Sequence, residues 1–167
     1  MMIRSVTLLF FLLMVGQYGN AQAGCSGALL VFLQGTSTGT PEGLVVRDAG
    51  NAGYSTLRNV VACAKDGDII TYDQTAMIPV STSTLTQPLD IDKSLTFMGL
   101  DINNRPEIMV DFATLGSSPG IRIMNNKTVI LKDIDLRESN NPSNNEIIRV
   151  DDTSMLKVTG KTVVNKD

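Results

Sequence analysis

At 167 residues the chain is long enough for one domain with a substantial core and too short for two ordinary ones. A formal net charge of -3 with an isoelectric point near 4.9, and no basic run, argues against electrostatic binding to nucleic acid or anionic lipid. Histidine is absent, which excludes every triad, general base or zinc site built on imidazole, and without tryptophan a sugar site would have to use tyrosine or phenylalanine.

The chain opens with a short positive segment, Met1-Met2-Ile3-Arg4, followed by the apolar run VTLLFFLLMV from Val6 to Val15. GQYGNAQA follows, and its Ala21 and Ala23 place small residues where signal peptidase inspects the chain. The pattern predicts a signal peptide over residues 1–23 with cleavage before Gly24, hence a secreted or outer-surface protein. A mainly apolar run of about ten residues falls well short of the roughly 20 that a membrane span requires, so no transmembrane helix is expected after cleavage. Cys25 directly after Gly24 would suit lipid attachment, but Gln22 stands where that signal calls for an aliphatic residue. Export would place Cys25 and Cys63 in an oxidising compartment, where they are candidates for one disulfide; two unpaired small hydrophobes are the alternative, since spacing does not establish a bridge.

Residues 24–43 form a mature N-terminal segment and linker, with the apolar run Ala28 to Leu33 and then the Gly, Ser and Thr-rich stretch Gln34 to Gly43. Leu44-Val45-Val46 reads as a short strand. Ser55 is a candidate N-cap for TLRNVVACAK, in which Leu57, Val60, Val61 and Ala64 recur at the spacing of one helical face, predicting an amphipathic helix of about three turns. Gly67 is placed to end it, and Asp68 to Tyr72 reads as a strand.

Beyond this point the chain breaks into short β-type pieces: Leu89 to Ile91, Ser94 to Met98, Glu107 to Phe112, Gly120 to Met124, Thr128 to Leu136, Glu146 to Val150 and Met155 to Thr159. No second amphipathic helix is expected. KSLTFMGLD from Lys93, KTVILKDID from Lys127 and SMLKVTGKT from Ser154 align with one another at spacings typical of stacked repeats, the second spacing shorter than the first. PEIMV, GIRIM and NEIIRV lie between them in equivalent places. A strand such as Leu95-Thr96-Phe97 needs its inner face covered, and stacked coils supply that cover to one another. An antiparallel sandwich would also accept many short strands, but it fits the long Asn-rich turn from Glu138 to Asn145 poorly. The predicted fold is all-β: a right-handed parallel β-helix of about three coils over residues 44–167, with a capping α-helix at its N-terminal end.

The stretch from Val45 to Asp73 resembles the N-terminal cap of right-handed β-helix proteins exported by bacteria, both pectate-lyase-like and autotransporter-passenger-like. The matching positions are Asp48, Gly50, Gly53, Thr56, Leu57, Arg58, Ala64, Gly67, Asp68, Ile70 and Tyr72, and DKSLTFMGLD looks like the first regular coil of that family. The resemblance implies a scaffold shared by adhesins and by polysaccharide lyases. Such proteins usually continue for many more coils, so the reading here is a short version or an N-terminal fragment, whose open end invites self-association.

Candidate chemistry centres on Asp133, Asp135 and Arg137. On one strand they would share a face, the acids about 6.5 to 7 Å apart, near the separation that glycosidase carboxylates need. In the lyase-like relatives Ca²⁺ and an arginine base occupy such a face, whereas a solvated strand of balanced charges is the plainer alternative. Asp66 and Asp68 are weak candidates for a metal ion such as Ca²⁺, as are Asp90 and Asp92, but no recognisable calcium loop surrounds either pair. Asp151-Asp152 is similar to the paired aspartates of pectin hydrolases, yet adjacent strand residues face opposite ways, and turn chemistry explains the pair better. Arg58 is expected to brace the cap through hydrogen bonds. Asn126-Lys127-Thr128 has the form of a glycosylation acceptor, set aside at this point because the leader and the resemblance look bacterial. The expected function is a structural or adhesive surface protein with no catalytic residue and no bound cofactor, its partner an extracellular polysaccharide or cell-surface component. A remnant polysaccharide lyase or hydrolase is the alternative.

Overall fold

The computed structural model describes residues 44–53, 55–74, 77, 82–141 and 144–165; the predicted signal peptide, the lipid-attachment reading and the linker to residue 43 lie outside them. Strand β1 (Leu44–Val46) leads through a Gly-rich loop into helix α1 (Leu57–Cys63). The helical face read from the sequence is the face that packs inward: Leu57, Val60, Val61 and Ala64 are all buried. The N-cap is Thr56, one residue later than expected, its hydroxyl accepting from the Asn59 N–H and donating to the Gly53 carbonyl, while Ser55 takes a left-handed φ of 61°. The helix closes after seven residues, shorter than the three turns expected, and the chain turns at Gly67, whose φ of 90° suits glycine.

Eleven further strands follow: β2 (Ile69–Tyr72), β3 (Thr82–Leu85), β4 (Leu89–Ile91), β5 (Leu95–Met98), β6 (Glu107–Asp111), β7 (Ile121–Ile123), β8 (Thr128–Lys132), β9 (Asp135–Ser139), β10 (Ile148–Val150), β11 (Met155–Thr159) and β12 (Val163–Asn165). A single helical turn, α2 (Phe112–Leu115), interrupts the β6–β7 connection where no helix was expected. The strands stack into three parallel sheets, in the order β1-β2-β5-β8-β11 for the first, β4-β7-β10 for the second and β3-β6-β9-β12 for the third. The chain is therefore a parallel β-solenoid of about four turns, one more than the sequence suggested.

The inner rows make the core. Leu44, Ile70, Phe97, Leu131 and Val158 form one column in the first sheet, with Leu95, Val129 and Leu156 beside it. In the second sheet Ile91 lies over Ile123 and Val150; in the third Ile108 lies over Leu136 and Val164. Each of these side chains that is fully buried, such as Ile70, Phe97 or Leu136, contributes roughly 1.5–3 kcal/mol, and one coil covers the next.

The repeat spacings read from the sequence are those of the first sheet, since Leu95 pairs with Val129 and Thr128 with Met155. Two expectations need correction. PEIMV does not share a place with GIRIM and NEIIRV: it is β6 of the third sheet, in register with Asp135 to Ser139, whereas the other two stack in the second. Thr128 to Leu136 is not one strand either. It breaks after Lys132 at Asp133, whose φ of 55° turns the chain from the first sheet to the third.

That corner is stacked from Gly99, Asp133 and Gly160, the residues following the paired strand ends Met98, Lys132 and Thr159. The Gly99 N–H donates to the Lys132 carbonyl at 2.9 Å, and a Cβ on Gly99 would run into the Asp133 carbonyl oxygen and the Pro106 ring. Gly99→Ala should therefore destabilise the protein by about 2 kcal/mol or more, as measured by chemical denaturation. An unchanged midpoint would mean that the corner is looser than its geometry.

Candidate functional site

Apolar inner rows leave charge to the outer faces, where residues in register on neighbouring coils stand about 4.8 Å apart. On the third sheet this brings Glu107 of β6 beside Asp135 of β9. Arg105, in the loop before β6, lays its Nε and Nη2 on the two Asp135 carboxylate oxygens at 2.6 and 3.1 Å, a bidentate pair that raises the Arg105 pKa further. Arg137 Nε pairs with Glu107 Oε2 at 3.0 Å, and its Nη2 lies 3.9 Å from Asp135 Oδ2. The Thr82 hydroxyl donates to Glu107 Oε1 at 3.1 Å. The result is a network running across three coils from Thr82 through Glu107 and Arg137 to Asp135 and Arg105, in which both carboxylates are engaged by donors.

Of the three residues singled out in the sequence, Asp135 and Arg137 do share the outer face of β9. Asp133 does not join them. It sits in the corner with its Oδ1 over Gly160, accepting the Lys161 N–H at 2.8 Å, so it faces the following coil while Asp135 faces Arg105 of the preceding one. The two aspartates do not lie on one continuous strand, because the backbone turns between them.

The candidate metal ligands are also engaged. Asp66 Oδ1 accepts the Ser94 N–H at 2.6 Å, and Lys127 reaches back past Ser94 to place its ammonium 2.9 Å from Asp66 Oδ2. The Ser94 N–H first, and then Lys127, hold the Asp66 carboxyl below the usual carboxylate range. Asp68 Oδ2 accepts the Lys65 N–H at 2.7 Å. Asp90 holds Arg122 of the next coil in a second bidentate pair. Among the described residues no group of three or more Cys, Asp or Glu side chains is placed to hold a metal ion.

Arg58 braces the cap as the sequence suggested, donating to the Pro88 and Gln87 carbonyls at 2.8 and 2.7 Å, and burial lowers its pKa. Lys93 adds a second tie, its ammonium on the Val61 and Ala62 carbonyls at the end of α1. Cys63 is disulfide-bonded; Cys25, the partner considered from the sequence, lies outside the described residues.

Sequence reasoning missed Arg105, Glu107 and Glu138. Glu138 stands on the inner face of β9, in register with Val110, and is 1% exposed. Its Oε2 accepts from Asn141 Nδ2 at 2.7 Å, while Oε1 has no partner among the described residues. Asn141 in turn brackets Asn145, donating to its carbonyl and accepting its N–H, so this buried carboxyl fixes the Asn-rich turn. Strand alternation from Leu136 was the signal that would have found it.

Asp151 organises the turn between β10 and β11, as turn chemistry suggested. Hydrogen bonds from the Ser154 side chain first, then the Thr153 hydroxyl and the Asn125 and Thr153 N–H groups, bring its pKa down to about 2.

Among the described residues no helix is long and apolar enough to cross a membrane. Comparisons with protein-family models, with curated proteins and with solved structures find no match to this chain.

A carboxyl whose pKa is lowered on folding stabilises the fold above its ordinary value of 3.8 and ceases to do so as pH falls through its folded value. Asp151→Ala should therefore lower the melting temperature at pH 6, and the difference from the parent should shrink steadily between pH 4 and pH 2. A difference independent of pH would mean that the carboxylate charge plays no part in the turn.

Proposed function

We propose that this chain is an exported surface protein, or the N-terminal part of one, in which the solenoid serves as a rigid structural or adhesive scaffold. The observation carrying the reading is the engagement of the outer-face charges by one another: Asp135 with Arg105, Glu107 with Arg137, Asp90 with Arg122 and Asp66 with Lys127. A base or nucleophile needs an available lone pair beside a substrate, and each of these carboxylates instead accepts from a cation. Export rests on the N-terminal pattern. The coil is taken as right-handed from the strong general preference of parallel β-connections.

The partners fitting this reading are an extracellular polysaccharide or a cell-surface component. Further copies of the chain are also candidates, meeting at Val158 and Val164, which are 48% and 46% exposed although their register partners Leu131 and Leu136 are buried. The second reading is a remnant lyase or hydrolase for acidic polysaccharide, working at the Asp135–Arg137 face with Ca²⁺.

One assay separates the two. Incubated with polyuronates and Ca²⁺, the chain is expected to release neither unsaturated products nor reducing ends, while binding immobilised glycans or cell surfaces and sedimenting as more than a monomer. Turnover that disappears in Arg137→Ala would establish the enzyme reading; absence of all binding would end the adhesive one.

A further inference from the structure

We infer that Asn126 is an acceptor for N-linked glycosylation, an inference that rests on the export reading above. Asn126-Lys127-Thr128 supplies the required carboxamide and, two residues on, a hydroxyl; Asn141-Pro142-Ser143 carries the excluded proline. The leader pattern and the resemblance that set this motif aside bear on routing and on architecture, and both are independent of the kind of cell that makes the chain.

Placement favours the site. Asn126 lies in the corner between β7 and β8, where Asn125 and Asn126 take successive left-handed φ values of 65° and 59°. Its backbone N–H is held by the Thr153 hydroxyl of the next coil at 3.2 Å, which anchors the turn without using the side chain. The residue is exposed, and among the described residues its carboxamide has no hydrogen-bond partner. Other asparagine amides serve the fold: Asn140 donates to Asp111, Asn141 to Glu138, Asn145 to the Gly116 carbonyl, and Asn51 accepts the Thr86 N–H. Asn126 is exposed, as is the Thr153 that holds its backbone N–H, an open surface position of the kind a bulky modification takes. Thr128 opens β8, so the motif straddles a turn and a strand start.

In the reaction, the Asn126 amide nitrogen bonds to the anomeric carbon of a lipid-pyrophosphate-linked oligosaccharide and loses one proton. The anomeric carbon–oxygen bond breaks, and the lipid pyrophosphate leaves with its electron pair. A left-handed turn alone would also favour asparagine at this position, so the test must keep the turn while removing the acceptor.

The full chain, with its own leader, is produced in a eukaryotic secretory host and examined by intact mass before and after peptide N-glycosidase. The expected product carries one glycan, removed by the enzyme, absent from Asn126→Asp and Thr128→Val and retained in Thr128→Ser. Aspartate tolerates the left-handed turn and valine the strand start, and unchanged melting temperatures of the unmodified variants confirm that the fold is intact. A product that has lost its leader yet carries no glycan overturns the acceptor alone. One that keeps its leader and carries no glycan overturns the acceptor and the export reading together.

Discussion

Each coil of this solenoid has an apolar inner row too short to bury itself, and parallel stacking of one row on the next is what makes the molecule possible. Leu44, Ile70, Phe97, Leu131 and Val158 occupy one column, so removing any inner rung would uncover both its neighbours. Backbone pairing and apolar burial are satisfied by the same displacement along the axis. Helix α1 relieves the first rung of its need for a neighbour: Leu57, Val60 and Val61 turn inward, while Arg58 and Lys93 tie the helix to the carbonyls around it.

The same constraint arranges the outer faces. Strands held in register bring each outward residue beside one from the coil below, and charge on one coil is answered on another: Asp90 by Arg122, Glu107 by Arg137. Individually, exposed pairs of this kind contribute little, about 0–1 kcal/mol. Together they tie each coil to its neighbour along the outer faces. The least exposed of them, Asp135 with Arg105, also ties the β5–β6 loop to the coil that follows.

Where sequence and structure agree, a strong local pattern was present. The helix was legible because four residues fell on one face, and the first-sheet spacing because Lys93 and Lys127 open nearly parallel phrases. β3, with sequence TSTL, and β12, with VVN, escaped notice because two inward positions in the first and one in the second are too few for a period to emerge. PEIMV was misplaced because alternation marks a strand without saying to which of three sheets it belongs. Asp133 misled because the reading ran one strand through a point where the inward positions shift register, from Val129 and Leu131 to Ile134 and Leu136. Arg105 and Glu107 were hidden for a different reason: their partners lie a full coil away along the chain, a separation that only the register reveals.

The corners of the solenoid are unequal. In the second sheet the chain takes a longer path from Leu89 to its partner Ile121 than from Ile121 to Ile148, yet the strands stay in step, because α2 and the surplus chain lie in the connection outside the sheets. Height along the axis is thus set by the number of rungs, and girth by what hangs from the corners. Such a scaffold can acquire an extra loop at 100–105 or 112–120 without shortening or lengthening its reach, so the two quantities are free to diverge independently during evolution.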